Sequence, residues 1–413
     1  MPGDAQVYNP GATHLRAMRH EEVVLDQQKP FVRLCLIGFA VHLSYALSRF
    51  PVIPLYAQSL GLSKQMIGLV VAASTLTGVA LKLPMGRLSD MAGRRPLLIL
   101  SACAFAFPPF LYPIATAGLS LLAVRLLHGL STATFGPVSS AIVSDIAEPS
   151  RRGERLSTFS SATLVGKSLG PLIGGYLIVG ADFHWPFLAS GAAGLAALAL
   201  AATWKHESYA RAAGAKEDLA EFVRGIREVA RHFGIMATSV VEGVQFLATG
   251  ALDAFLPIYA VETLQLPGGR IGWLFAAQIV TTLVAKPIMG RFSDRLGRRA
   301  QIVAGLIVAA VALGLVGSRS SFAQLLIVSA LYGLGVAITT SSTAALVTDL
   351  SRKERYGASH GAFGTIMDVG HASGPIVAGQ LAGALGVGAA LSGIAAALGL
   401  AAIVFAALPR FRD

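Results

Sequence analysis

The stretch GRLSDMAGRR, residues 86–95, sets three arginines and an aspartate between two long apolar runs. Nearly the same string, GRFSDRLGRR, returns at residues 290–299, 204 positions later. A short charged punctuation repeated at that interval is the pattern from which the fold can be read.

Of the 413 residues, 54% are hydrophobic and only 13% charged, against about 25% charge in a soluble domain. Mean hydropathy is +0.64. That deficit over so long a chain implies a polytopic membrane protein. The first thirty residues are polar and mixed in charge and lack the apolar core of a signal peptide, so residues 1–30 read as a cytoplasmic tail. Cys35 and Cys103 both lie in apolar runs, which argues against a disulfide or a metal cluster. The net charge of +11 sits between apolar runs and not on one soluble face, so nucleic acid is not the expected partner.

Apolar runs begin near residues 32, 65, 96, 118, 156, 185, 234, 270, 301, 321, 358 and 387. Each is long enough to cross a hydrocarbon core of about 30 Å as a helix. Twelve spans are expected, rich in Gly, Ala, Ser and Pro, which suits close packing in lipid. Four short loops carry Arg87, Arg94, Arg95, Arg151, Arg152, Arg155, Arg291, Arg295, Arg298, Arg299, Arg352, Lys353 and Arg355, while the opposite loops carry Lys64, Arg270 and Arg319. The positive-inside rule then puts the arginine-rich loops and both termini in the cytoplasm.

The repeat extends beyond the opening string. Lys82 matches Lys286, Gly68 matches Gly272, Gly129 matches Gly333 and Asp145 matches Asp349. GKSLGPLIGG at 166–175 matches GHASGPIVAG at 370–379. The chain divides into two parallel halves of six spans, residues 31–204 and 233–413, an arrangement used by transporters with a central site. The linker, residues 205–232, sets Leu219, Phe222, Val223, Ile226 and Val229 on one face and charge on the other. It reads as a helix on the cytoplasmic membrane surface or as a plain tether.

These motifs resemble those of the major facilitator superfamily, and the resemblance covers residues 31–410. Gly86, Asp90, Gly93, Arg94 and Arg95 fit its signature loop, with Met91 where a basic residue is usual; Gly290, Asp294, Arg295, Gly297, Arg298 and Arg299 fit throughout. The resemblance implies a cytoplasmic gate. Its aspartates would accept hydrogen bonds from the N-terminus of a facing helix, and its arginines would pair with them and with Asp145 or Asp349, each contact contributing about 0.3–2 kcal/mol. The blander role, setting topology alone, needs neither the aspartates nor the glycines. Arg125 matches the intramembrane arginine of the fourth span. Gly166, Gly170, Pro171, Gly174 and Gly175 match a fifth-span motif of proton-coupled exporters, where proline bends the helix and glycines would pack it across the two halves.

A charge at mid-bilayer costs about 2.5–3.5 kcal/mol, so each one asks for a reason. The first span carries His42, Tyr45, Arg49 and Tyr56; the fourth Arg125 and His128; the fifth Lys167. The seventh carries Glu242, Gln245, Thr249 and Asp253, the eighth Gln278, and the eleventh His360, Met367, Asp368 and His371. If these stripes face the centre, they form a cavity cationic on one side and acidic on the other. Glu242, Asp253 and Asp368 are candidates for proton coupling; a structural ion pair, such as Arg49 with Asp253, is the plainer reading. Lys82 and Lys286 are expected to snorkel to the surface. The first span has no acid, and the surrounding cations favour an anionic or zwitterionic compound.

No nucleotide-binding loop and no catalytic motif is present. The expected protein is a monomeric twelve-helix secondary transporter of a bacterial inner membrane, without cofactor, exporting a small organic compound against protons. Proton-linked uptake or facilitated passage of an organic anion or sugar-like nutrient is the alternative.

Overall fold

The structure, a computed structural model, describes residues 10–148, 151–204, 229–352 and 355–409, of which residues 10–28 as backbone only. Twelve long helices carry the described residues. They are α1 (Pro10–Arg49, continued after a break by Val52–Ser59), α2 (Lys64–Ala92), α3 (Arg94–Ala106, continued by short turns to Ile114), α4 (Gly118–Ile146), α5 (Arg152–Tyr176) and α6 (His184–Ala202). Then follow α7 (Phe233–Leu264), α8 (Gly268–Leu296), α9 (Arg298–Val316), α10 (Phe322–Asp349), α11 (Tyr356–Leu385) and α12 (Val387–Ala407). The helix α1 begins at Pro10, inside the stretch read as a tail. Of the linker's apolar face, Leu219, Phe222, Val223 and Ile226 lie outside the described residues; Val229 is buried with Ile235, Val347 and Phe363.

Local chemistry explains the ends. Ser63 caps α2 by accepting from the Met66 N–H, and Ser321 does the same for α10 through Gln324. The opening motif supplies the tight corners that join α2 to α3 and α8 to α9. Gly93 and Gly297 stand there at φ +90 and +89, conformations that a side chain resists. Ten of the helices are long and apolar enough to cross a membrane among the described residues. Helices α5 and α11 fall short because Ser157, Ser160, Lys167, His360, Asp368 and His371 lie in them. These two helices carry the seam between the halves.

At that seam α2 meets α11 and α5 meets α8. A β-carbon built on Gly379 would stand 3.4 Å from the Gly68 Cα; one on Gly175 would stand 3.2 Å from the Gly272 Cα. Gly175 and Gly379 are repeat equivalents, as are Gly272 and Gly68, so one crossing is used twice. Both crossings lie at the end remote from the arginine-rich loops. There Glu262 accepts from Gln58 at 3.1 Å and pairs with Lys64 at 3.2 Å, and Trp273 donates to the Tyr176 hydroxyl at 2.9 Å. The rings of Phe50 and Phe275 stack at 5.8 Å across the same seam.

The fifth-span motif behaves differently from expectation. Gly166 lies against the backbone of Phe39 and Leu43, Gly170 against Ala46, and Gly174 against Leu47. These three glycines bring α5 onto α1 within one half, and only Gly175 reaches across. A glycine announces that another backbone comes close, not which one.

Gly175→Leu should disfavour the closed seam by about 1–3 kcal/mol, shifting the population of that closed state by about 5–150-fold. Spin labels on Leu60 and Gln265 should then report a longer distance across this end, while Gly399→Leu, in α12 with open space around it, should not lengthen it.

Candidate functional site

The helix α1 ends on Arg49, which the bilayer position makes costly; partners meet it on several sides, while its Nε has none among the described residues. Its guanidinium lies 4.6 Å from the centre of the Phe50 ring and 5.3 Å from that of Tyr45. One amino group donates to the Thr75 hydroxyl and to His371 Nδ1, each at 3.4 Å. The other ring nitrogen, His371 Nε2, lies 3.3 Å from Asp253 Oδ2. An arginine can only donate, so Nδ1 accepts and the ring proton sits on Nε2, facing the carboxylate. The direct Arg49–Asp253 pair read from the sequence is therefore replaced by a relay through neutral His371. It runs from the first half to the second.

A second polar link crosses the halves nearer the arginine-rich end. Lys82 Nζ stands 2.6 Å from Asp368 Oδ2, with the side chains 48% and 22% exposed. Lys82 does not snorkel to the surface as expected, because a carboxylate is within reach on α11. Lys167 is exposed and has no hydrogen bond or ion pair among the described residues; Arg49, Lys82 and Asp368 are its charged neighbours. Arg49 and Asp253 are repeat equivalents, as are Lys167 and His371. The two halves thus present opposite charge characters from matching positions.

Several expected cavity residues are instead sealed inside one half. Arg125 and His128 are fully buried. Arg125 donates to the carbonyls of Val70 and Val71, each at 3.2 Å, and to Ser74 and Tyr112. These carbonyls have a second lone pair beyond the helical bond, which lets α2 hold a guanidinium. His128 Nδ1 meets the Tyr112 hydroxyl at 2.7 Å, and Tyr45 meets Ser74 at 2.7 Å. His42 is half-buried, bonded to the Gly38 carbonyl at 2.8 Å with its ring edge-on to Phe135.

The polar stripe of α7 divides in the same way. Gln245 and Thr249 turn to the Tyr332 hydroxyl of α10, at 3.2 and 3.0 Å, and Glu242 accepts from Thr343 of the same helix at 2.7 Å. Only Asp253 of the stripe reaches the other half, through His371. Gln278 is buried where α8 crosses Gly333 of α10. Tyr112, Tyr332 and Thr343 were missed in the sequence. The offset of 204 that maps His128 onto Tyr332 was the available signal.

The sequence profile of the Major Facilitator Superfamily matches residues 34–267 and again 238–413. The chain belongs to that superfamily. A multidrug resistance efflux pump PmrA homologue of Lactococcus lactis is 25% identical over 83% of this chain and 86% of its own length. An uncharacterised MFS-type transporter of Methanocaldococcus jannaschii is 23% identical over 82% and 87%. Among solved structures, an inward-facing, unoccupied bacterial homologue of the human lysosomal transporter Spinster superposes with a TM-score of 0.79 at 15% identity. That match covers 92% of this chain and 96% of the other. The protein is a multi-pass membrane transporter and not an enzyme.

The superfamily's signature loop takes a definite form here. Arg94 pairs with Asp90 and, at 3.3 Å, with Asp145. Its equivalent Arg298 pairs with Asp294 at 2.5 Å and Asp349 at 2.9 Å. Both knots stay within their own half, and among the described residues neither Asp90 nor Asp294 accepts from the N-terminus of a facing helix, as had been expected. Gly86 packs near Pro137 and Gly290 has open space around it. Arg95 and Arg295 are exposed, while Arg299 donates to the carbonyls of Phe405, Ala406 and Leu408.

The Lys82–Asp368 link is wet, and exposed pairs contribute about 0.2–1 kcal/mol. A double-mutant cycle of Lys82→Met and Asp368→Asn, read by unfolding in detergent, should return a coupling within that range. A larger coupling would mean that both charges are held away from water.

Proposed function

We propose that the transporter exports a small zwitterionic organic compound in exchange for protons. It would work as a monomer in a bacterial inner membrane, its arginine-rich end in the cytoplasm. The observation that carries this reading is the relay Arg49–His371–Asp253. It lies at the junction of the halves, and each bond in it depends on where a proton sits. Protonated Asp253 no longer holds His371 through a charge. A proton on His371 Nδ1 would point at the guanidinium and remove the Arg49 bond. Thr75, Tyr45, Lys167 and Tyr332 complete the polar surroundings.

A substrate ammonium would compete with protons for Asp253, while its anionic group would sit on Lys167. Competition for one carboxylate makes binding of the two exclusive, which is the requirement for exchange. The efflux-pump relative supports the outward direction. One proton crossing about 100 mV supplies about 2.3 kcal/mol, with about 1.4 more for each pH unit. The seam closed at the far end would leave this site reached from the cytoplasm, and opening there would follow loss of the polar links. Glu242, held by Thr343 within one half, is not needed for this scheme; Asp368 would respond through Lys82.

Lys167 supports a second reading. A cation with no ion pair among the described residues suits an organic anion, which would draw a proton onto Asp368 by taking Lys82 from it. Anion and proton binding would then reinforce one another and move together, as in proton-linked uptake.

Everted vesicles with an acidic interior and an internal pH dye separate the two. Under exchange, a fluoroquinolone zwitterion added outside should raise the internal pH. Asp253→Asn should cut the signal by about tenfold or more, and Glu242→Gln should retain it. A fall in internal pH on adding benzoate, absent in Lys167→Gln, would replace exchange by co-transport.

A further inference from the structure

Where α7 begins and α10 and α11 meet on the arginine-rich face, a cavity of about 540 Å³ is lined by His232, Asp349, Arg352, Arg355 and Ser359, among others. Its polar lining is dominated by donors. His232 caps α7, accepting the Ile235 N–H on Nδ1 at 3.3 Å, so its ring proton sits on Nε2. Ser359 is 1% exposed, and its hydroxyl has no partner among the described residues. Helix α11 begins here with neither a side-chain cap nor an acidic residue in its first turn, so among the described residues no anion answers its leading N–H groups and the positive end of its dipole. The carboxylate among the described lining residues, Asp349, is already engaged by Arg298 at 2.9 Å.

The other half supplies a built-in comparison. Subtracting 204 maps Arg355 onto Arg151, Ala358 onto Glu154 and Arg352 onto Glu148. In the first half Glu154 stands in the first turn of α5 and accepts from Arg151 at 2.9 and 3.0 Å. The Arg151 hydrogen bonds hold the Glu154 carboxyl below the usual carboxylate range. That corner carries its own anion. The second corner has alanine and arginine at the two matching positions, and the intervening Lys353 and Glu354 cancel in charge.

We propose that this second corner binds an anionic phosphate group, supplied by the headgroup of a membrane phospholipid or by free phosphate. The N-terminus of α11, Arg352, His232 Nε2 and the Ser359 hydroxyl are the donors that receive it. The site lies apart from the relay at the centre of the molecule, so it does not depend on what is transported.

The full-length protein in nanodiscs tests the proposal. In phosphatidylcholine alone, inorganic phosphate is titrated against chloride at matched ionic strength. In a second set phosphatidylglycerol replaces a fifth of the lipid, and native mass spectrometry counts the molecules retained. At least one of the two probes should bind the unmodified protein, the first arm marking free phosphate as the source and the second a lipid. Ala358→Glu, which restores the first half's carboxylate, should weaken that binding by about tenfold, while Ala358→Gln, of equal size, should keep it. The proposal is overturned if neither probe binds, if Ala358→Glu binds as well as the unmodified protein, or if Ala358→Gln loses as much as Ala358→Glu.

Discussion

Between helices in a bilayer there is no water to expel, so association rests on how closely backbones can approach and on the polar groups they share. In this transporter the requirement falls on four glycines. Gly68 against Gly379 and Gly272 against Gly175 let the two halves touch main chain to main chain at one end of the molecule. The other inter-half features depend on that proximity. It brings Glu262 within reach of Gln58 and Lys64 at the rim, and it sets the depth at which Arg49 meets His371. It also leaves the arginine knots at the far end to close on themselves.

Packing inside each half follows the same rule with different partners. Gly166, Gly170 and Gly174 press α5 onto α1, while Gly370 and Gly374 press α11 onto α7. Each half is thereby a firm body, and the buried guanidinium of Arg125 adds to it. Its hydrogen bonds go to α2 carbonyls, a serine and a tyrosine, and no charge is needed to neutralise it. Breaking that set would leave donors orphaned in a dry interior, which suits a group that fixes one arrangement. The inter-half links are of another kind, either partly exposed or dependent on one proton.

Much of this was legible before any coordinates. The spans follow from the apolar runs, and the turns joining α2 to α3 and α8 to α9 follow from the charged strings 86–95 and 290–299, because an uninterrupted apolar run is a local signal. The duplication was legible because equal spacing survives whatever the side chains do. The direction of each polar face was not. Glu242, Gln245, Thr249 and Asp253 share one stripe of α7, but that helix has α10 on one flank and α11 on the other. A stripe can divide between them, and it does. The partner of Lys82 was hidden for a similar reason, since Asp368 has no charged equivalent: its repeat position is Leu164.

The opposite charges at matching positions carry a consequence for how such a molecule can be built. If the two halves were identical chains related by a true twofold axis, Arg49 would confront a second Arg49 and Asp253 a second Asp253. The seam would then hold like charges, and no histidine would have both a donor and an acceptor to bridge. Joining the halves in one polypeptide removes that restriction, because each position can change without its mate. The relay at the centre is a property of the fused chain that neither half could display in a symmetric pair.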